Sequence, residues 1–278
     1  MGYNQENFRR IREEYSRKYL LVQEAATKRR EEIHAILPEV REIDAQLSDM
    51  GLRIESKDVF SGPKYEVDFL SIPGRDGDLI SGSGRFPNVQ VTYSVFLPAK
   101  SVAELSQKIT AVKGWLYSGL NQYHALSDTY DTEFTRKAVY AGKLDIEDEL
   151  NRIGVFTISF SCEPFRYSVA GEKTQIVGNG KSLTNPYQFP SYPIIRVVGS
   201  GRGTLTIQSA DNNTTLSFTA IDGYVEIDSK QMVCYKGNEP KNDTVEGDGF
   251  PLLYPGENTF SFDGDIQGLS IAPRWCSI

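Results

Sequence analysis

Cysteine, histidine and tryptophan are scarce in this sequence, and long apolar runs are missing. The three cysteines, Cys162, Cys234 and Cys276, are odd in number and stand at neither CxxC nor metal-ligand spacing. That excludes a disulfide framework or a zinc site and reads the thiols as reduced and structural. His34 and His124 are the two histidines, and spacing places no Ser, Cys or Asp partner beside either, so no His-centred acid–base or nucleophilic site is encoded. No GxxxxGK(S/T) stretch exists to cradle a nucleotide phosphate. No run approaches the ~18 apolar residues needed to span a bilayer, and Arg and Glu stud the N-terminus where a signal peptide would be apolar. The chain is therefore expected to have no catalytic residues, cofactor, metal or membrane contact, and to be made and used in cytoplasm or in a particle assembled there.

What is abundant is aromatic. Fifteen Tyr and 14 Phe against 3 Met favour pleated, half-buried strands over helices. A length of 278 residues suits two domains better than one. Net charge is −7, and residues 1–54, with ten basic and ten acidic side chains, contribute none of it. An acidic body over 55–278 lacks the clustered Lys and Arg that phosphate contacts need, which argues against nucleic acid as a partner.

Three zones follow. Over residues 3–50, apolar side chains at Phe8, Ile11, Tyr15, Val22, Ile33, Ile36, Val40, Ile43, Leu47 and Met50 keep helical spacing. Pro38 breaks or kinks the helix, and a second helix ends at Gly51, so 1–54 reads as a kinked helical extension or helix pair. Residues 55–168 carry strand-like runs at 65–72, 89–97, 137–146 and 155–162, interrupted by a helix over 101–118 that Ser101-Val-Ala-Glu104 opens as a capping box. Leu105, Ile109, Val112 and Leu116 form its apolar stripe. Residues 169–182 read as a linker. Short strands at 194–198, 203–208, 214–218, 223–228, 232–235, 258–262 and 269–273 make 183–278 an antiparallel sandwich. The fold class is mainly β: two β-sandwich domains, the first with one packed helix, behind a helical extension.

Dense Gly and Asp in Pro73-Gly-Arg75-Asp76-Gly-Asp78, followed by Gly82, Gly84 and Arg85, signal tight turns and a projecting hairpin or loop. Arg75, Asp76, Asp78 and Arg85 are its candidate inter-subunit contacts. Asp128-Thr-Tyr-Asp131 has turn chemistry, and Asp145-Ile-Glu-Asp-Glu149 reads as the acidic first turn of a helix or as a loop. Gly199-Ser-Gly201-Arg-Gly203 reads as a hairpin or bulge because a strand, not a helix, follows it. Tyr187, Tyr192, Tyr224, Tyr235 and Tyr254 are candidates for a glycan platform; Trp275 reads as core.

Leu70-Ser-Ile-Pro-Gly-Arg-Asp-Gly-Asp78 resembles the distal tail (Dit) family of siphophages. The collinear set that follows resembles it too: Phe96-Leu97-Pro98, Trp115-Leu116, Leu126-Ser-Asp128, Phe156 to Phe165, Ile227-Asp228, Pro255-Gly-Glu-Asn258 and Ile271 to Trp275. The first strand typical of that family is missing here or reduced to about residues 54–60. The resemblance implies a hexameric ring at the virion tail tip that joins the tail tube protein to the tail fibre or tip (Tal-like) protein. It also implies a galectin-like C-terminal sandwich. A carbohydrate-binding module for host cell-wall glycans is the alternative. Separately, Met1-Gly-Tyr-Asn4, Arg29-Arg-Glu31, Pro38-Glu39 and Gly51-Leu52 resemble the N-terminus of helicase loaders, which implies a partner-binding helical piece.

Overall fold

The computed structural model describes residues 43–278 except 83, 150–152 and 211. The helix over 3–42, its break at Pro38, His34 and the loader-like motifs before residue 43 lie outside the described residues.

The first unit runs α1 (Ile43–Asp49), β1 (Arg53–Asp58), β2 (Val67–Leu70), β3 (Leu79–Gly82), β4 (Val89–Pro98), α2 (Val102–Leu116), β5 (His124–Leu126), β6 (Phe134–Tyr140), β7 (Ile146–Glu149) and β8 (Ile153–Ser168). Its antiparallel sheet has the order β1-β4-β8-β6-β5, with β7 also on β8, while β2 and β3 form a separate hairpin. Strict alternation writes β4 into the sheet: Val89, Val91, Tyr93, Val95 and Leu97 are buried and the residues between them are not. From the neighbouring β8, Phe156, Ile158, Phe160 and Cys162 enter the same core.

The helix α2 covers this core with Leu105, Val112 and Leu116 buried. The Ser101 side chain accepts from the Glu104 N–H at 3.3 Å, as expected, while the Glu104 carboxylate accepts the Lys100 N–H at 2.9 Å rather than that of Ser101. The helix α1 ends where the sequence places the stop. Gly51 adopts φ 80°, the Leu52 N–H donates to the Leu47 carbonyl and the Gly51 N–H to that of Ser48, a Schellman closure. Ile43, Leu47 and Leu52 belong to the first core, so residues 43–52 pack with the sheet, and a division at residue 54 falls inside β1.

The second unit comprises β9 (Gln175–Val177), β10 (Lys181–Asn185), β11 (Ile194–Gln208), β12 (Asn213–Asp228), β13 (Val233–Lys236), β14 (Glu239–Pro240), β15 (Val245–Gly247), β16 (Gly256–Phe262) and β17 (Ile266–Ala272), and the chain ends in β18 (Cys276–Ser277). Residues 169–182, expected as a linker, contain a 3₁₀ turn and β9, which pairs with β17. The four central runs expected as short strands are two long ones. Residues 194–199 of β11 pair with β17, and 205–208 pair with β16. The adjoining β12 follows through both halves. One creased hairpin thus contributes to two layers, whose inward residues, among them Ile195, Val197, Leu205, Ile207, Phe218, Val225, Phe260 and Ile271, form a single core.

The crease is the Gly199–Gly203 stretch, where the β11–β12 register slips. The Arg202 N–H donates to Asp265 Oδ2 at 2.9 Å and the Thr204 N–H to Asp263 Oδ1 at 3.0 Å, so these amides already hold carboxylates and do not await a phosphate. A Cβ at Gly199 would run into the Asp265 carbonyl. Gly199→Ala is accordingly expected to cost about 1–3 kcal/mol by overpacking, seen as a lower melting temperature with the native spectrum retained.

β18 returns to the first unit and pairs with β8 through Cys276 and Tyr167. Beside it, Lys230 Nζ donates to Glu163 Oε2 and to the Tyr167 hydroxyl, both at 2.8 Å, and Arg274 donates to Asp228. Trp275 is buried in the second core.

Candidate assembly surfaces

The β2–β3 hairpin buries neither face. Phe69 lies opposite Ile80, and Leu70 opposite Leu79. Successive side chains alternate, so the first pair occupies one face and the second the other. All four are exposed, at 64%, 72%, 59% and 38%. An isolated two-stranded hairpin is at best marginal in water; this one is rooted instead of packed. At its foot Tyr65 meets Phe86 at 5.0 Å, and Phe86, Phe165 and Phe189 contact one another at 5.3–6.1 Å between ring centroids. The Glu66 N–H donates to the Arg85 carbonyl at 3.1 Å. The root thus draws on the arm, β8 and the approach to β11.

Arg75, Asp76 and Asp78 sit together at the exposed tip, where Gly74 and Gly77 adopt φ near 80°. Arg85 is exposed at the foot, a strand length of about 13 Å away. None of the four makes an ion pair among the described residues. The structure therefore assembles three of the four candidate contacts at one place.

The clustered carboxylates of the first unit are committed to the fold. Asp128 is buried. It accepts from Lys57 Nζ at 3.0 Å, from the Tyr93 hydroxyl at 3.0 Å and from the Tyr130 N–H at 2.7 Å, the last being the expected turn chemistry. Lys57 Nζ also donates to Asp44 Oδ1 at 2.6 Å and Thr129 Oγ1 at 2.8 Å, and lies 3.9 Å from the centre of the Tyr130 ring. Burial works against its charge, yet the Asp44 and Asp128 carboxylates hold Lys57 above the ordinary ammonium range. Asp131 accepts from Arg166 at 2.8 Å. Asp145-Ile-Glu-Asp-Glu149 is not a helical turn. Residues 146–149 are β7, an edge strand paired with β8; Ile146 packs on the first core while Glu147 is exposed, and acidic residues on an edge deter pairing with another chain. His124 Nε2 lies 2.9 Å from the Gly119 carbonyl oxygen. Among the described residues no group of three or more His, Cys, Asp or Glu could hold a metal, and no helix is long and apolar enough to cross a membrane.

The candidate tyrosines divide into two pairs. Tyr224 and Tyr235 lie on the paired strands β12 and β13, and the Arg196 guanidinium stacks 4.5 Å from the Tyr224 ring centre. Tyr192 and Tyr254 flank the bridge between Ser191 and Leu253, Tyr192 being the exposed member. Tyr187 packs on Phe134 at 5.3 Å. Sequence reasoning missed the aromatic root because its members are scattered from residue 65 to 189; the density of Phe and Tyr was the only signal for it.

Residues 46–162 match the family model of the phage tail protein RIFT-related domain. Among solved structures, the Dit protein of phage SPP1, a paradigm of the hub adsorption apparatus in phages infecting Gram-positive hosts, superposes with a TM-score of 0.65 at 15% identity. It covers 81% of this chain and 93% of its own. Chains of the phage p2 baseplate in its activated conformation, with strontium or calcium, match 81% of this chain and 90% of theirs at TM-scores of 0.44 and 0.42 and identities of 10% and 9%. The comparison with curated protein sequences returns no match.

Proposed function

We propose that this chain is a phage tail protein of the Dit kind, a structural component of the tail tip whose copies close into a ring, hexameric as the resemblance implies. The ring joins the tail tube to the fibre or tip protein, within a virion tail assembled in the host cytoplasm. The observation that carries this reading is the β2–β3 arm: a rooted hairpin with an exposed apolar pair on each face, buried against nothing among the described residues. A hairpin of that kind calls for a protein partner. A partner surface different from the arm itself makes a heterologous contact, which closes into a ring under cyclic symmetry.

No catalysis is assigned. The carboxylates most suited to it are held in ion pairs that cross the first sheet, and His124 faces a backbone carbonyl. A glycan platform is less well supported, because the Tyr224 face that a sugar would stack on carries Arg196. Native mass spectrometry together with negative-stain imaging of the purified chain tests the ring. A discrete closed oligomer with a central opening is expected, and a monomer persisting at tens of micromolar sinks the reading. Phe69→Asp combined with Ile80→Asp is expected to leave the stability of the subunit unchanged to within about 0.5 kcal/mol, as for exposed positions, while abolishing the oligomer.

A further inference from the structure

The first unit also carries a receptacle. A groove of about 510 Å³ opens where the end of α2 meets β5 and β6, with Trp115, Leu116, Ala138, Tyr140 and Phe160 in its walls and Leu120 and Tyr123 at its rim. Leu120 and Tyr123 are more than a third exposed. Tyr140 meets Tyr117 edge to face at 5.4 Å, and Gln122 and His124 add polar groups to a lining that mixes apolar and polar surface.

Resting on the ring reading above, we propose that this groove receives the β2–β3 arm of the adjacent copy, with the Phe69–Ile80 face inserted against Trp115, Leu120 and Phe160. The sheet order supports the pairing. The arm springs from between β1 and β4 at one edge of the sheet, and the groove lies along β5 and β6 at the other. Donor and acceptor on opposite edges of one subunit are what a head-to-tail ring requires. The areas agree as well. With side chains of the order of 200 Å² each, the exposed fractions of Phe69, Leu70, Leu79 and Ile80 present roughly 450 Å². That is about half of the ~800 Å² per partner in a standard interface, leaving the remainder to the tip and the groove rim.

Two variants with opposite lesions test this. Phe69→Asp spoils the arm and leaves the groove, whereas Leu120→Arg spoils the groove and leaves the arm. Each replaces an exposed side chain, and circular dichroism checks that each is folded. Each alone is expected to weaken assembly by about a hundredfold or more, since the charge would be buried without a partner. Mixed, they retain one good arm and one good groove between them, and are expected to form a one-to-one heterodimer and nothing larger by native mass spectrometry. In a second measurement, Ile80→Cys with Leu120→Cys is oxidised in the otherwise wild-type chain, whose three native thiols are all buried. A covalent ladder up to the full ring, absent from either single variant, is expected. A ring that forms without the ladder, or variants that fail to complement, overturns the groove assignment and leaves the ring standing. A wild-type chain that never assembles removes both.

Discussion

Lys57→Met is expected to lower the melting temperature by about 10 °C, more than any surface substitution in the chain. Among the described residues Lys57 is the one cation bonded to the carboxylates where α1, β1, β4 and the 127–130 turn converge, and its side chain is 4% exposed. Removing it leaves Asp128 buried and Asp44 beside it with no compensating charge. Breaking a buried pair from one side costs about 3–5 kcal/mol, and for a chain of this size each kcal/mol moves the midpoint by roughly 2–4 °C. Calorimetry of Lys57→Met, Asp128→Asn and the double variant measures it. The double variant should recover part of the loss, since it removes the stranded carboxylate. A drop under about 2 °C for Lys57→Met would mean that the cluster is decorative.

Raising the pH should destabilise the protein steeply. Burial pushes the thiols of Cys162, Cys234 and Cys276 up to about 11, against about 8.5 in an unfolded chain. The native state keeps three protons that the unfolded state releases, so the thiols' contribution is complete below about pH 8.5. It is lost as pH rises toward 11, at up to about 4 kcal/mol per pH unit for three groups. Tyr93, raised by burial and by the Asp128 carboxylate, adds to the loss above about pH 10. Urea denaturation under reductant from pH 7 to 10.5 reads this slope, and the triple variant Cys162→Ala, Cys234→Ala, Cys276→Ala should be much flatter. Equal slopes in the two proteins would rule the thiols out as the cause.

Much of this fold was legible where a local signal and the tertiary context agree. The alternation of β4, the Ser101–Glu104 cap of α2 and the Gly51 stop of α1 are each set by residues within a few positions of one another. Legibility failed where the pairing partner is remote. β9 sits in a glycine-rich stretch that reads as a linker and β10 begins at its end, because the strands they pair with, β17 and β16, lie more than 70 residues downstream. β7 looks like an acidic turn until the hairpin with β8 is seen. Gly199–Gly203 reads as two strands and a turn, since nothing in the sequence says that Asp263 and Asp265 carry the backbone through the bend. The arm was foreseen as a projecting loop from its Gly and Asp content. Its foot was not, because Tyr65, Phe86, Phe165 and Phe189 meet only after both units have folded.

The return of β18 to β8 has a mechanical consequence. The chain leaves the first sheet at Ser168 and comes back beside it, with the Ser168 N–H on the Trp275 carbonyl and the Arg274 N–H on that of Gly171. The second unit is therefore a handle riveted at both ends, not a bead on a single thread. Torque on it is shared by two adjacent straps, so the handle should keep one fixed angle, and load taken up by the second unit passes directly into the sheet that carries the arm.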